Sequence, residues 1–308
     1  QTVMNCACWA IAEDPGPAMW VTATKDELRD FLRDRLTPTF ETCRPVKERM
    51  AEPTLTGFAF DGMPFYAGWS GSKARLQSKP IRWLFCDEVR NYPPGRLEMV
   101  LKRTRSFWNS RRFLISTPGT KGDAMDTAFR SGDQRFWQFE CPQCQLSQLL
   151  KFEQLKWDAN DATKPGGKWR FDALAETIRF ECVGCGHRIA DTPVDRRWIE
   201  NHGQFVPTNP NAPRSRVSYT WNALLPHWVE WRSIVEEFLA AVDAMRVHGD
   251  IEPMFTFVTE TLGEPWDLDR WLITGDDYVQ QRKGDYDFGD AWPLEQTRFL
   301  AADRQARG

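Results

Sequence analysis

The stretch RWLFCDEV, residues 82–89, decides how the chain is read. Trp83, Leu84, Phe85 and Cys86 form an apolar run of the length a buried strand needs. The run ends in two adjacent carboxylates, Asp87 and Glu88. A buried carboxylate without a partner is costly, so the pair calls for a cation.

An apolar strand closing on Asp-Glu is the Walker B arrangement. In it the Asp helps hold a magnesium ion bound to nucleotide phosphates, and the adjacent Glu orients the attacking water. Taken alone the pattern is common, and a solvated strand end reads the same way. The flanking elements add context. Residues 1–17, QTVMNCACWAIAEDPGP, place Val3, Met4, Ala7, Cys8 and Ile11 on one helical face, with Pro15 and Gly16 as a stop. Residues 18–24 read as a strand. Thr24 is placed to cap a helix over KDELRDFLRDRL, residues 25–36, with Asp26 and Glu27 in its first turn. A further helix is expected over residues 95–112, then a short strand at 113–115 that ends in STPGT, residues 116–120. Helix and strand in alternation imply an α/β fold with parallel strands. In such sheets ligands sit beyond the carboxyl ends of the strands, where Ser116 and Thr117 join the two acids. A plain turn explains Pro and Gly there equally well.

The totals fit a globular chain of 308 residues, with 41% hydrophobic and 27% charged residues. No apolar run is long enough to span a bilayer, and no signal peptide is visible. The net charge of −3 argues against a uniformly basic nucleic-acid binder. Charge is uneven: Arg82 to Arg130 holds ten bases against five acids, and Glu236 to Asp303 sixteen acids against five bases. Each is a solvated face or a binding surface.

Beyond residue 140 the pattern changes. CPQC supplies Cys141 and Cys144, and CVGCGH supplies Cys182 and Cys185. Two C-x2-C pairs let four thiolates face one ion, which favours tetrahedral zinc. Four cysteines leave no open position, so the zinc is structural rather than catalytic. His187 is a spare neighbour. Cys6, Cys8, Cys43 and Cys86 lie in apolar stretches and read as reduced core thiols. VSYTWNALL, residues 217–225, is expected as a strand. Helices follow over about 228–246 and 253–262, the first with the apolar stripe Trp231, Ile234, Val235, Phe238, Leu239, Val242 and Met245.

No G-x-x-x-x-G-K-[ST] phosphate loop occurs in the sequence. Because the first helix starts at Gln1, where a helix following such a loop would start, the loop is expected just upstream.

The order of these elements resembles the large terminase subunit of tailed phages, in its GpA-type branch. The likeness rests on the DPGP turn, on GWSGSKARLQSKPIRWLFCDEV at residues 68–89, on STPGT, and on the Cys pairs followed by WNALLPHWVEW at residues 221–231. It runs from Gln1 to about Asp303. It implies a P-loop NTPase of the ASCE type, a mostly parallel sheet flanked by helices, with an inserted zinc ribbon. The implied organisation is a packaging ATPase core at 1–140, the ribbon at 141–187, a return to the core at 188–262, and a linker with the first strand of an RNase H-like nuclease at 263–308. The implied activity is ATP-driven packaging of double-stranded DNA into a procapsid, with metal-dependent DNA cutting by the nuclease. The resemblance assigns Asp87 to magnesium, Glu88 to water activation, Ser116 and Thr117 to coupling, and Cys141, Cys144, Cys182 and Cys185 to zinc. Asp303 becomes the first nuclease metal ligand, although an exposed Asp at a strand end reads the same, and its companions are expected beyond Gly308. ATP, magnesium and zinc are the implied cofactors. Double-stranded DNA, the small terminase subunit, the procapsid portal and further copies in a ring are the implied partners. The implied setting is the cytoplasm of an infected bacterium, with no membrane. A trans-acting arginine is not assigned; Arg90, Arg103, Arg105, Arg111 and Arg112 are candidates for it or for phosphate contacts. Two other readings stand beside this one: a helicase-like P-loop motor, and a non-catalytic zinc module that binds nucleic acid or protein.

Overall fold

The computed structural model of the chain describes residues 1–51 and 57–267. Strands β1 (Ala18–Thr22), β2 (Gly57–Phe60), β3 (Met63–Trp69), β4 (Trp83–Asp87) and β5 (Arg111–Ile115) form one sheet in the order β2-β3-β1-β4-β5. β3, β1, β4 and β5 are parallel, and β2 is the antiparallel edge. Residues 1–266 form one compact unit.

The apolar runs of β1 and β4 reflect burial on both faces, as a covered parallel sheet requires. Ala18, Trp20, Trp83 and Phe85 point to one face, where Met4, Ala7 and Ile11 of the helix Thr2–Glu13 join Phe31, Leu36 and Phe40. Met19, Val21, Leu84 and Cys86 point to the other, against Leu76, Ile81, Val89, Leu97 and Val100. Trp20, Phe85 and Phe113 are neighbours in register across β1, β4 and β5. Their rings stack with centroids 5.2 and 5.0 Å apart. The row fixes the relative height of three strands directly below Asp87.

Thr24 caps the helix Lys25–Phe31 reciprocally with Glu27: each backbone N–H donates to the other side chain, at 3.2 and 3.1 Å. The helix does not stop at Leu36. It widens into a π turn at Leu32–Leu36 and continues as Thr37–Thr42, because Pro38 has no N–H for the regular ladder.

Three other expectations change. The helix expected over 95–112 is shorter: Arg96–Leu101 tightens into a 3-10 segment, Lys102–Ser106. There the Thr104 hydroxyl donates to the Leu101 carbonyl, and Arg111 and Arg112 already belong to β5. The hairpin β2–β3 was not foreseen, although Asp61-Gly62 is a recognised two-residue turn signal and Gly62 adopts φ 66°. Of residues 217–225 only Tyr219–Thr220 pair as a strand. The Asn222 carboxamide accepts from Leu224 N–H and donates to the Leu150 carbonyl, which bends the chain away from a ladder.

Around the cysteines lie β6 (Arg135–Glu140), β7 (Ser147–Leu149), β8 (Leu155–Lys156), β9 (Arg179–Glu181), β10 (Arg188–Ala190), β11 (Gly203–Pro207) and β12 (Tyr219–Thr220). β6, β7, β11 and β12 make one sheet, and β8, β9 and β10 another. Buried Arg196 ties this region to the helix Trp231–Asp243: it pairs with Asp191, donates to the Leu224 and Pro226 carbonyls, and lies over the Trp231 ring. Among the described residues no helix is long and apolar enough to cross a membrane. Asp303 lies outside the described residues.

Because Phe85 sits fully buried in the ring row, Phe85→Ala should cost about 3–5 kcal/mol of stability in urea unfolding. A loss below about 1 kcal/mol would show that the row does not hold the sheet together.

Candidate functional site

β4 leaves the core at Asp87, and the next residue changes hand. Glu88 has φ 52° and ψ 49°, the left-handed region that costs a side-chain-bearing residue about 1–2 kcal/mol. Such strain persists where surrounding structure enforces it, and it collects at functional positions. The kink sends the chain into the short 3-10 turn Val89–Asn91.

Both carboxyls are partly buried, and both titrate above the ordinary range. Asp87 is pushed up by burial, against opposing pulls from the Glu88 backbone amide and from Arg35. The Trp20 indole N–H favours the ionised form of Asp87 without reaching hydrogen-bond geometry. Glu88 is pushed up first by burial and then by the Asp87 charge, with Arg90 pulling the other way. Among the described residues, neither carboxylate forms an ion pair. Two half-buried, unpaired hard-oxygen donors fit a divalent cation such as magnesium.

β5 lies beside β4, with Ile115 opposite Asp87. The sheet therefore delivers Ser116 and Thr117 to the level of the acids. The Ser116 hydroxyl accepts from the Arg90 backbone N–H at 3.2 Å. The Thr117 hydroxyl makes no hydrogen bond among the described residues. The 116–120 loop is held at several further points. Arg90 Nη1 donates to the Pro118 carbonyl at 3.2 Å, and its Nη2 pairs with Glu260 at 2.6 Å. Gly119 N–H donates to Asp123 Oδ2 at 2.9 Å. Trp266 N–H donates to the Gly119 carbonyl at 2.8 Å, and Lys121 N–H to the Trp266 carbonyl at 2.9 Å.

Of the arginines considered in trans, Arg90 is therefore engaged within its own chain. Arg112 donates to Thr104 Oγ1 at 2.7 Å. Arg111 and Arg112 open β5, at the end of the strand opposite the acids. Glu260 carried no motif. It lies 170 residues from Arg90, so sequence spacing offered no sign of it.

The four paired cysteines converge. Their sulfurs all lie within 4.8 Å of one another, with Cys141–Cys185 at 3.8 Å and Cys144–Cys182 at 3.7 Å. A tetrahedron with metal–sulfur bonds of about 2.3 Å has edges of about 3.8 Å, so the spacing fits zinc. His187 is not among the grouped ligands; its carbonyl accepts from Cys182 N–H. The two knuckles repeat one design. Gln145 N–H bonds back to the Cys141 carbonyl and Gly186 N–H to that of Cys182. Both residues are left-handed, at φ 59° and 70°. Aligning CPQCQ on CVGCG reveals this match in the sequence itself. Phe139 and Phe180, each two residues before a knuckle, are fully buried and pack edge to face at 5.6 Å. For Cys182 burial opposes ionisation, but the amides of Cys185 and Gly184, together with the Cys141 and Cys144 thiols, outweigh it and lower the thiol to about 6. A thiolate is the form that binds metal.

The family model of the phage terminase large subunit gpA ATPase domain matches residues 1–201. The model of the terminase large subunit gpA endonuclease domain matches residues 216–303. The large terminase subunit of Escherichia phage lambda is 26% identical over 168 residues, which take in 49% of this chain and 24% of that protein. The chain thus spans about a quarter of the length of that curated relative. Two solved structures of the large terminase ATPase domain of Thermus phage P74-26 are also similar. A point mutant has TM-score 0.45 and 12% identity, covering 86% of this chain and 83% of that one. The other has TM-score 0.41 and 12% identity, covering 85% and 82%.

The raised carboxyls have a consequence for stability. An acid whose folded pKa exceeds its unfolded value weakens the fold while ionised, so stability rises as pH falls from above the folded value toward the unfolded one. Without metal, Glu88→Gln should therefore raise the melting temperature at pH 7–8, and the gain should shrink toward pH 4. A lowered melting temperature across that range would show that the Glu88 charge is compensated.

Proposed function

The chain belongs to the family of phage terminase large subunits of the gpA type, and on that premise we propose that it forms the ATPase part of a viral DNA-packaging motor. The observation that carries the reading is the strand-end pair itself: two unpaired, half-buried acids beside a hydroxyl-bearing loop, at the carboxyl edge of a parallel sheet.

Asp87 would hold magnesium bound to the phosphates of ATP. When bound, that ion offsets phosphate charge and removes the electrostatic cost of the two acids. Glu88 orients the attacking water and takes up its proton; its raised pKa makes it a better base than an exposed carboxylate. Ser116 and Thr117 report the state of the terminal phosphate, and Thr117 has its hydroxyl free of protein partners among the described residues. The four cysteines hold a structural zinc that locks the two knuckles of the insert together.

The domain reading follows. Residues 1–140 are the ATPase core, 141–187 the ribbon and 188–262 a return to the core, with the nuclease beginning after 263. The endonuclease-domain match starts earlier, at residue 216. The later boundary is supported by Glu260, which pairs with Arg90 of the core at 2.6 Å. Asp303 is the proposed first metal ligand of the nuclease. The substrate is double-stranded DNA. The partners are the small terminase subunit, the procapsid portal and further copies in a ring, in the cytoplasm of the infected host.

In the protein as its gene encodes it, Glu88→Gln should lower ATP turnover by about 10²–10⁴-fold with nucleotide binding retained. Turnover within twofold of the parent would refute the assignment. Elemental analysis should find one zinc per chain, and stripping it with a chelator should lower the melting temperature. Cys182→Ser should abolish both the metal and the chelator effect. Full stability and no metal in the parent protein would remove the zinc reading.

A further inference from the structure

Arg90 stands two residues beyond Glu88 and touches two separated parts of the chain, the 116–120 loop and Glu260. Its backbone N–H reaches the Ser116 hydroxyl, and its guanidinium divides between the Pro118 carbonyl and the Glu260 carboxylate. The side chain is 19% exposed and that of Glu260 49%. Arginine suits this position because one planar group serves two acceptors with fixed geometry.

Glu260 lies in the π turn Phe257–Thr261, which continues the helix Glu252–Thr256. Beyond it the chain turns at Gly263, with φ 63°; a Cβ there would approach the Trp221 carbonyl at 2.8 Å, so no other residue fits without a shift. The turn returns Trp266 to the 116–120 loop. Thr120 and Trp266 form a parallel bridge, closed by the two backbone bonds to Gly119 and Lys121. Trp266 is buried and its ring packs against Phe255 at 5.7 Å. The loop is thus clamped twice to one C-terminal segment: by Arg90 through Glu260, and by Trp266 through the backbone.

We propose that Arg90 is a positioning residue that makes the 116–120 loop and residues 257–266 move as one body. A displacement of Ser116 and Thr117 is then passed to the segment where the chain leaves this unit. Arg90 touches no reacting atom in this account; it acts through Ser116, Pro118 and Glu260. The role in energy coupling rests on the motor reading, whereas the clamp itself does not.

Hydrogen exchange on this chain tests the clamp directly. Arg90→Gln should raise exchange about tenfold or more in amides of both 116–121 and 257–266, with the rest of the sheet unchanged. Glu260→Gln, at a half-exposed position that tolerates the change, should raise exchange in the same two segments, and the double variant should add little to either single one. Faster exchange in only one segment, or additive effects, would overturn the clamp. In the encoded protein, Arg90→Gln should raise the ATP spent per base pair moved about tenfold. An unchanged ratio would overturn the coupling role. If exchange behaves as expected while Glu88→Gln leaves turnover intact, the clamp stands and the motor reading fails.

Discussion

The structure is organised around the cost of ending a buried strand in two adjacent carboxylates. β4 lies inside a sheet covered on both faces, so Asp87 and Glu88 emerge with little water around them. Burial raises both, the Asp87 charge raises Glu88 further, and no cation of the described chain pairs with either. The left-handed backbone at Glu88 adds a second cost at the same point. What surrounds the pair is rigid: the ring row below, the β5 register beside it, and a loop fastened by Arg90, Asp123 and Trp266. A preorganised, under-compensated acid pair is what binding a metal-bound polyphosphate requires.

The cysteine insert follows the same logic with the opposite result. Four sulfurs spaced like the edges of a metal tetrahedron form a closed site, and the two knuckles share backbone geometry down to the left-handed residue after each pair. Phe139 and Phe180 meet beneath it and join the two small sheets. Arg196 and Trp231 then tie the region to the helix that follows. The insert is thus continuous with the packed unit.

Most of this was legible in the sequence where a local signal existed. The apolar run from Trp83 to Cys86, the Thr24–Glu27 cap and the C-x2-C pairs each state their structure within a few residues. The helix after Arg96 ends earlier than its pattern suggests: its bases continue into β5 without a helix-breaking residue. The β2–β3 hairpin carries its own signal in Asp61-Gly62. Glu260 and Trp266 could not be foreseen, since their contacts join residues more than a hundred positions apart and depend on the closed fold.

The central claim is that Asp87 and Glu88 exist to serve a metal-bound nucleotide. Paramagnetic resonance with manganese in place of magnesium tests it most directly, on the encoded protein with ATP present. The account predicts a protein-bound manganese signal that appears only with nucleotide and disappears in Asp87→Asn. A signal unchanged by Asp87→Asn, or no bound manganese in the parent protein at saturating ATP, would contradict it.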